Sequence, residues 1–150
     1  MVVSISSHAI APAVVLRGEG AWAEALSKIS ALCSRPLLLG RSEATSCLRA
    51  ALASDLVHSG LTPQLAELRY DCCEEDLQRL ASEAADCDAV LAAGGGKVLD
   101  AGKLLAHRLQ LPCITVPLSA GTCEGWTALS NLYSMHGAFQ ADVALARCPE

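Results

Sequence analysis

The chain has 150 residues, 52% of them hydrophobic but only 3% aromatic, with a formal net charge of −5. That is the length of one domain able to bury a core built from Leu, Ala, Val, Ile and Cys. The acidic balance and the lack of a Lys/Arg cluster argue against a nucleic-acid surface, which needs a basic stripe to neutralise phosphates. No apolar stretch approaches membrane-spanning length, and the start, Met1 to Leu16, carries His8 and no basic n-region, so the expectation is a cytoplasmic protein with no membrane contact.

In chain order, Ala13-Val14-Val15-Leu16 reads as a first short strand. Gly18-Glu19-Gly20 then turns into a helix whose Trp22, Ala25, Leu26, Ile29, Leu32 and Cys33 share one face. Arg35-Pro36 stops that helix, and Pro36-Leu37-Leu38-Leu39-Gly40 is a continuous apolar run, as in a strand covered on both faces. Either Ser42 or Ser46 can cap a second helix, which runs to about Ser59 and ends at Gly60. A weaker strand spans Leu65 to Tyr70. Asp71, with Glu74 three residues on, resembles a capping box opening a helix to about Ala85.

The segment Asp88 to Lys103 reads as a buried strand, Asp88 to Ala93, that breaks into Gly94-Gly95-Gly96 and then into a helix from Lys97 to Gln110. Three residues without Cβ let the backbone approach an anion and adopt positive φ, while the helix N-terminus directs free N–H groups at it. A tight packing turn is the competing explanation of the triplet. Asp100 lies three residues from both Lys97 and Lys103 and so on one helix face with them. Either these side chains only pair with one another, or Asp100 accepts from ligand hydroxyls at the mouth of a crevice while the lysines attract phosphate. Cys113-Ile114-Thr115-Val116-Pro117 is a further strand. A Ser/Gly/Thr loop from Leu118 to Gly125 follows, then a hairpin in which Ala128 to Tyr133 and Phe139 to Leu145 flank Ser134-Met135-His136-Gly137. The alternation predicts an α/β fold: a Rossmann-like, mostly parallel sheet covered by helices, with a C-terminal β-hairpin, in a single domain over residues 1–150.

The glycines follow the fourth apolar run rather than the first, which departs from the common dinucleotide fingerprint. Gly94-Gly95-Gly96 with Asp100 and Lys103, and downstream Val116-Pro117-Leu118-Ser119-Ala120-Gly121-Thr122, resemble the iron-containing alcohol dehydrogenase and glycerol dehydrogenase family. The likeness runs from the Gly18 turn to Cys148-Pro149; a dehydroquinate synthase-like relative ranks lower because the loop around Ser119 to Thr122 is closer to the alcohol dehydrogenases. The resemblance implies an N-terminal dinucleotide-binding domain, a C-terminal helical domain, and hydride transfer assisted by a divalent metal, iron or zinc. It implies that Gly94, Gly95, Gly96 and Lys97 hold the pyrophosphate of NADP or NAD and that Asp100 lies by the nicotinamide ribose. Ser119 and Thr122 would line the groove, and Tyr133 would close the nicotinamide side.

Three departures matter. Where NAD-using members place an acidic residue after the second strand, this chain has Gly40-Arg41-Ser42, so Arg41 predicts a 2′-phosphate and hence NADP, unless it is simply a surface arginine. Cys123 stands at the substrate-side aspartate of the glycerol dehydrogenases, either as a reactive thiol or as a packed loop cysteine, and Leu118 replaces a threonine. Finally, the family's metal ligands belong to the helical domain, and His8, His58, His107 and His136 show no i, i+4 ligand spacing. The chain is therefore expected to bind cofactor without catalytic or metal-binding residues of its own, as an excised or truncated domain. A homo-oligomer or a complementing C-terminal domain is expected as partner, with a stand-alone binding module as the alternative. The eight cysteines form no C-x-x-C pair and read as reduced thiols, mostly in the core.

Overall fold

A computed structural model of the chain describes residues 11–121 and 123–150. The elements are α1 (Ala21–Leu32), β1 (Pro36–Gly40), α2 (Ser46–His58, preceded by a single 3₁₀ turn), β2 (Gln64–Glu67) and α3 (Glu74–Glu83). They continue with β3 (Ala89–Gly94), α4 (Gly96–Leu109), β4 (Cys113–Pro117), β5 (Leu129–Tyr133) and β6 (Phe139–Ala144). Four strands form a parallel sheet in the order β2-β1-β3-β4, and β5 pairs antiparallel with β6.

The apolar runs of β1 and β3 are covered on both faces. Leu37, Leu39, Val90 and Ala92 pack with Leu77 and Leu80 of α3 and Leu104 and Leu105 of α4. The alternate residues, Leu38, Ala89, Leu91 and Ala93, meet Ile29 of α1 and Leu52 and Leu56 of α2 on the other face. A strand buried on both sides cannot alternate apolar with polar, which is why these two segments read as unbroken hydrophobic runs. At the N-terminal end of the sheet the Asp88 carboxylate accepts from the amides of Ser34 and Arg35, both at 2.8 Å, and fixes the entry into β1 beside that of β3.

Several expectations are corrected. Ala13 to Leu16 forms no strand: Val14 and Val15 are each 44% exposed, and the segment instead lines a groove of about 640 Å³ with α1 and β4. Short apolar runs become strands only where a sheet edge is available, and this one pairs with no strand among the described residues. The glycine triplet thus follows the third strand of the sheet. Leu32 faces the same groove and is exposed, so the buried stripe of α1 is narrower than its sequence pattern. The weak strand is shorter, ending at Glu67. Asp71 does not cap α3; Cys73 precedes the helix, no side chain caps it, and Glu74 pairs with Arg108 of α4 at 2.6 Å. The hairpin forms as expected, its turn made possible by Gly137 at φ 83°, a left-handed conformation that favours glycine.

Candidate functional site: the crevice at the ends of β1 and β3

The sheet order sends the chain outward from β1 to β2 and then back past β1 to β3. The strand direction of travel reverses between β1 and β3, which opens a crevice at their C-terminal ends. Both strands end in glycine there, β1 at Gly40 and β3 at Gly94.

α4 begins immediately beyond β3. Gly95 is at φ −87°, ψ −177°, and none of Gly94, Gly95 and Gly96 has positive φ, so the expectation of left-handed backbone in the triplet is corrected. What the glycines supply is missing bulk. A Cβ on Gly94 would come within 2.9 Å of the Val98 side chain, one on Gly95 within 3.1 Å of Ser119 Oγ, and one on Gly96 within 3.0 Å of Glu124 Oε1. The helix N-terminus carries no side-chain cap. Val98 and Leu99 donate to the Gly95 carbonyl, so the helix amides pointing outward are those of Gly96 and Lys97. An uncapped N-terminus with bare backbone is an anion seat on elementary grounds.

The loop after β4 folds across this seat. The Leu118 amide donates to Gly94 O at 3.0 Å, and Thr115 Oγ1 donates to Gly125 O at 2.7 Å, which ties both ends of the loop to the sheet. Ser119 and Cys123 are exposed on it. Thr122 lies outside the described residues. The Glu124 carboxylate lies against Gly96, a placement for which a glutamate in a polar loop carries no sequence signal of its own.

Arg41 stands at the end of β1, where Arg49 of α2 crosses Gly40 so closely that a Cβ there would overlap the Arg49 side chain. Arg49, 8% exposed, donates to Ser42 O at 2.9 Å and Thr45 Oγ1 at 2.6 Å and so holds the segment that follows Arg41. Across the crevice, Asp71 Oδ1 accepts from Arg41 Nη1 at 2.7 Å and Asp71 Oδ2 from Lys97 Nζ at 2.7 Å. Hydrogen bonds from Lys97 and Arg41 hold the Asp71 carboxyl below the usual carboxylate range. Its own segment is set by buried Asp76, which accepts from the amides of Arg69 at 2.6 Å and Tyr70 at 2.9 Å. Lys97 Nζ also lies 5.7 Å from the centroid of the Tyr133 ring, whose partner is Phe139 in an edge-on contact.

Asp100 and Lys103 follow on α4 as buried side chains. They form a buried pair, 3.3 Å apart, with Asp100 4% and Lys103 2% exposed. Lys103 Nζ donates to the carbonyls of Thr127 and Leu129, and Asp100 accepts from the Asn131 amide, so the pair joins α4 to β5. Burial pushes the Asp100 carboxyl up, against the pull of Lys103. Lys103 is thus spent on the hairpin and not available to phosphate.

All eight cysteines are reduced, with Cys33, Cys72, Cys73, Cys113 and Cys148 buried. Among the described residues, no three His, Cys, Asp or Glu side chains come together as a metal-ligand set. No helix is long and apolar enough to cross a membrane among them.

The family model for iron-containing alcohol dehydrogenases matches residues 12–148. An uncharacterized oxidoreductase of Synechocystis is 45% identical over 146 residues, covering 96% of this chain and 37% of its own length. A glycerol dehydrogenase of Escherichia coli is 31% identical over 120 residues, covering 79% of this chain and 33% of its own. Among solved structures, the glycerol dehydrogenase of Schizosaccharomyces pombe superposes with a TM-score of 0.85 at 21% identity, over 97% of this chain and 38% of that one. The chain therefore spans 33–38% of the length of these three relatives.

Proposed function

Since the chain belongs to the iron-containing alcohol dehydrogenase family, whose members are NAD(P)- and metal-dependent oxidoreductases, we propose that its residues form the dinucleotide-binding domain of an alcohol or polyol dehydrogenase. One observation carries the reading: the uncapped N-terminus of α4, with bare Gly95 and Gly96, opens at the point where the strand order reverses between β1 and β3. In α/β sheets that is where a pyrophosphate finds both free amides and a favourable dipole.

The residues fit the cofactor as follows. Gly94, Gly95 and Gly96 give the pyrophosphate access to the Gly96 and Lys97 amides, and Lys97 adds a cation. Arg41, at the end of the strand next to the glycine-bearing one, would take the adenosine ribose, where a guanidinium favours a 2′-phosphate and hence NADP over NAD. Ser119 would line the loop side, Tyr133 would close the hairpin side, and Cys123 would face substrate. Asp100 would lie by the nicotinamide ribose, on the helix that carries the anion seat.

The bound cofactor accepts or gives the hydride; this chain's residues bind and orient it. The described residues do not fit the family's metal, because they offer no three-ligand cluster, so its ligands would come from outside them. The chain by itself is accordingly proposed to bind cofactor without turning over alcohols, with a complementing helical domain or a second copy covering the groove beside β4. Titration calorimetry with NADPH and NADH tests the reading: saturable one-to-one binding is expected, and absence of heat with both on folded protein would sink it. Metal-stimulated oxidation of small alcohols by the isolated chain would overturn the proposed inactivity, and light scattering reports on self-association.

A further inference from the structure

Three segments far apart in sequence bring one anion and two cations together at the crevice: Arg41 after β1, Asp71 before α3, and Lys97 in the first turn of α4. Asp71 gives one carboxylate oxygen to each cation. Its side chain is 11% exposed, whereas those of Arg41 and Lys97 are 38% and 53% exposed. The anion is thus enclosed and the cations open to solvent. The position of a Cβ on Gly137 lies 3.4 Å from Asp71 Oδ2, so the hairpin turn closes the remaining side.

We propose that Asp71 is a specificity-determining residue of this crevice, a built-in competitor for the 2′-phosphate that Arg41 would otherwise bind freely. The proposal rests on the dinucleotide reading above. A 2′-phosphate takes a guanidinium through paired charge-assisted hydrogen bonds. To do so here it must share or displace the carboxylate that already holds Arg41, with two like charges brought close together. A 2′-hydroxyl meets the opposite situation: it can donate to the same carboxylate. Arg41 therefore pulls the preference toward NADP while Asp71 pulls it toward NAD, and the pair sets the ratio. Discrimination built from an attractive and a repulsive element side by side is a general route to specificity.

The test is a set of fluorescence titrations of NADPH and NADH at one ionic strength on the wild-type chain, Asp71→Asn and Arg41→Ala. Asp71→Asn is expected to tighten NADPH about fivefold, as fits removal of one like charge at a partly solvated contact, and to weaken NADH by about twofold as the 2′-hydroxyl loses a charged acceptor. Arg41→Ala is expected to weaken NADPH selectively. A NADPH to NADH ratio that stays level or falls in Asp71→Asn overturns the proposal. A measurement on the wild-type protein guards against a misfolded variant: the Arg41 Nε–H resonance should move on adding NADPH and hold still on adding NADH, and equal movement with both counts against Asp71. Failure of the parent reading looks different, because wild-type protein would then bind neither coenzyme.

Discussion

Gly102 of α4 lies directly against Ala92 of β3, so close that a methyl group on Gly102 would overlap the alanine Cβ. The helix carrying the anion seat therefore sits on its strand at the distance that two residues without bulk permit. Gly102→Ala is expected to push α4 off the sheet and cost about 1–3 kcal/mol, the range for overpacking a tight core. Thermal melts check this, and an unchanged midpoint would contradict the close approach. Ala92→Gly should recover part of the loss in the double variant.

The α4–β5 joint makes a second prediction. Lys103→Met leaves the Asp100 carboxylate buried without its partner and should destabilise the chain by about 3–5 kcal/mol, the scale for breaking a buried pair from one side. Replacing both, as Asp100→Leu with Lys103→Met, should cost less than the single change. Denaturant unfolding of the three variants measures the cycle, and additive losses would show that the two side chains do not depend on each other.

Acid should act on the crevice through Asp71. Its pKa is lowered in the folded chain by Lys97 and Arg41, so its stabilising contribution is present above the unfolded carboxylate value and is lost as pH falls below about 4. The stability gap between wild type and Asp71→Asn is thus expected to be largest near neutral pH and to shrink toward pH 3. A gap that does not change with pH would mean that the ion pairs contribute nothing to folding.

The thiols should separate by burial. Burial pushes Cys72 and Cys113 up to about 12 and Cys33 up to about 11, so these are almost wholly protonated at pH 8. Cys47 and Cys123 are exposed. Timed alkylation read by mass spectrometry should modify these two first. Early labelling of Cys113 would indicate that the edge of the sheet opens readily.

A bulkier side chain in the seat should spare the fold and remove binding. Gly95→Val projects toward Ser119, on the exposed loop, rather than into the core. It is expected to keep the wild-type melting temperature within about 2 °C, as for changes outside the core, while weakening NADPH at least tenfold by calorimetry. Equal affinity would place the phosphate elsewhere.

The segments that packing alone decides were legible in the sequence. The residues of β1 and β3 show as apolar runs because they are covered twice, and β4 has the bounds its composition suggested, Cys113–Pro117. Ala13 to Leu16 failed the same test because an apolar run does not say whether a partner strand is within reach. Asp71 shows the limit for side chains. Its spacing to Glu74 resembles a local cap, but its partners are Arg41 and Lys97, 30 and 26 residues away, and only the sheet order brings them together. Asp100 and Lys103 were readable as a pair on one helix face. Which neighbour that face meets depends on how α4 lies across the sheet, and it meets the hairpin.

That single lysine has a mechanical consequence. Its ammonium on the hairpin carbonyls and its stem rooted mid-helix couple β5 to α4, and through α4 to the floor on which an anion would rest. Amide exchange along β5 and α4 should accordingly speed up in step under mild denaturant, as for two parts of one frame.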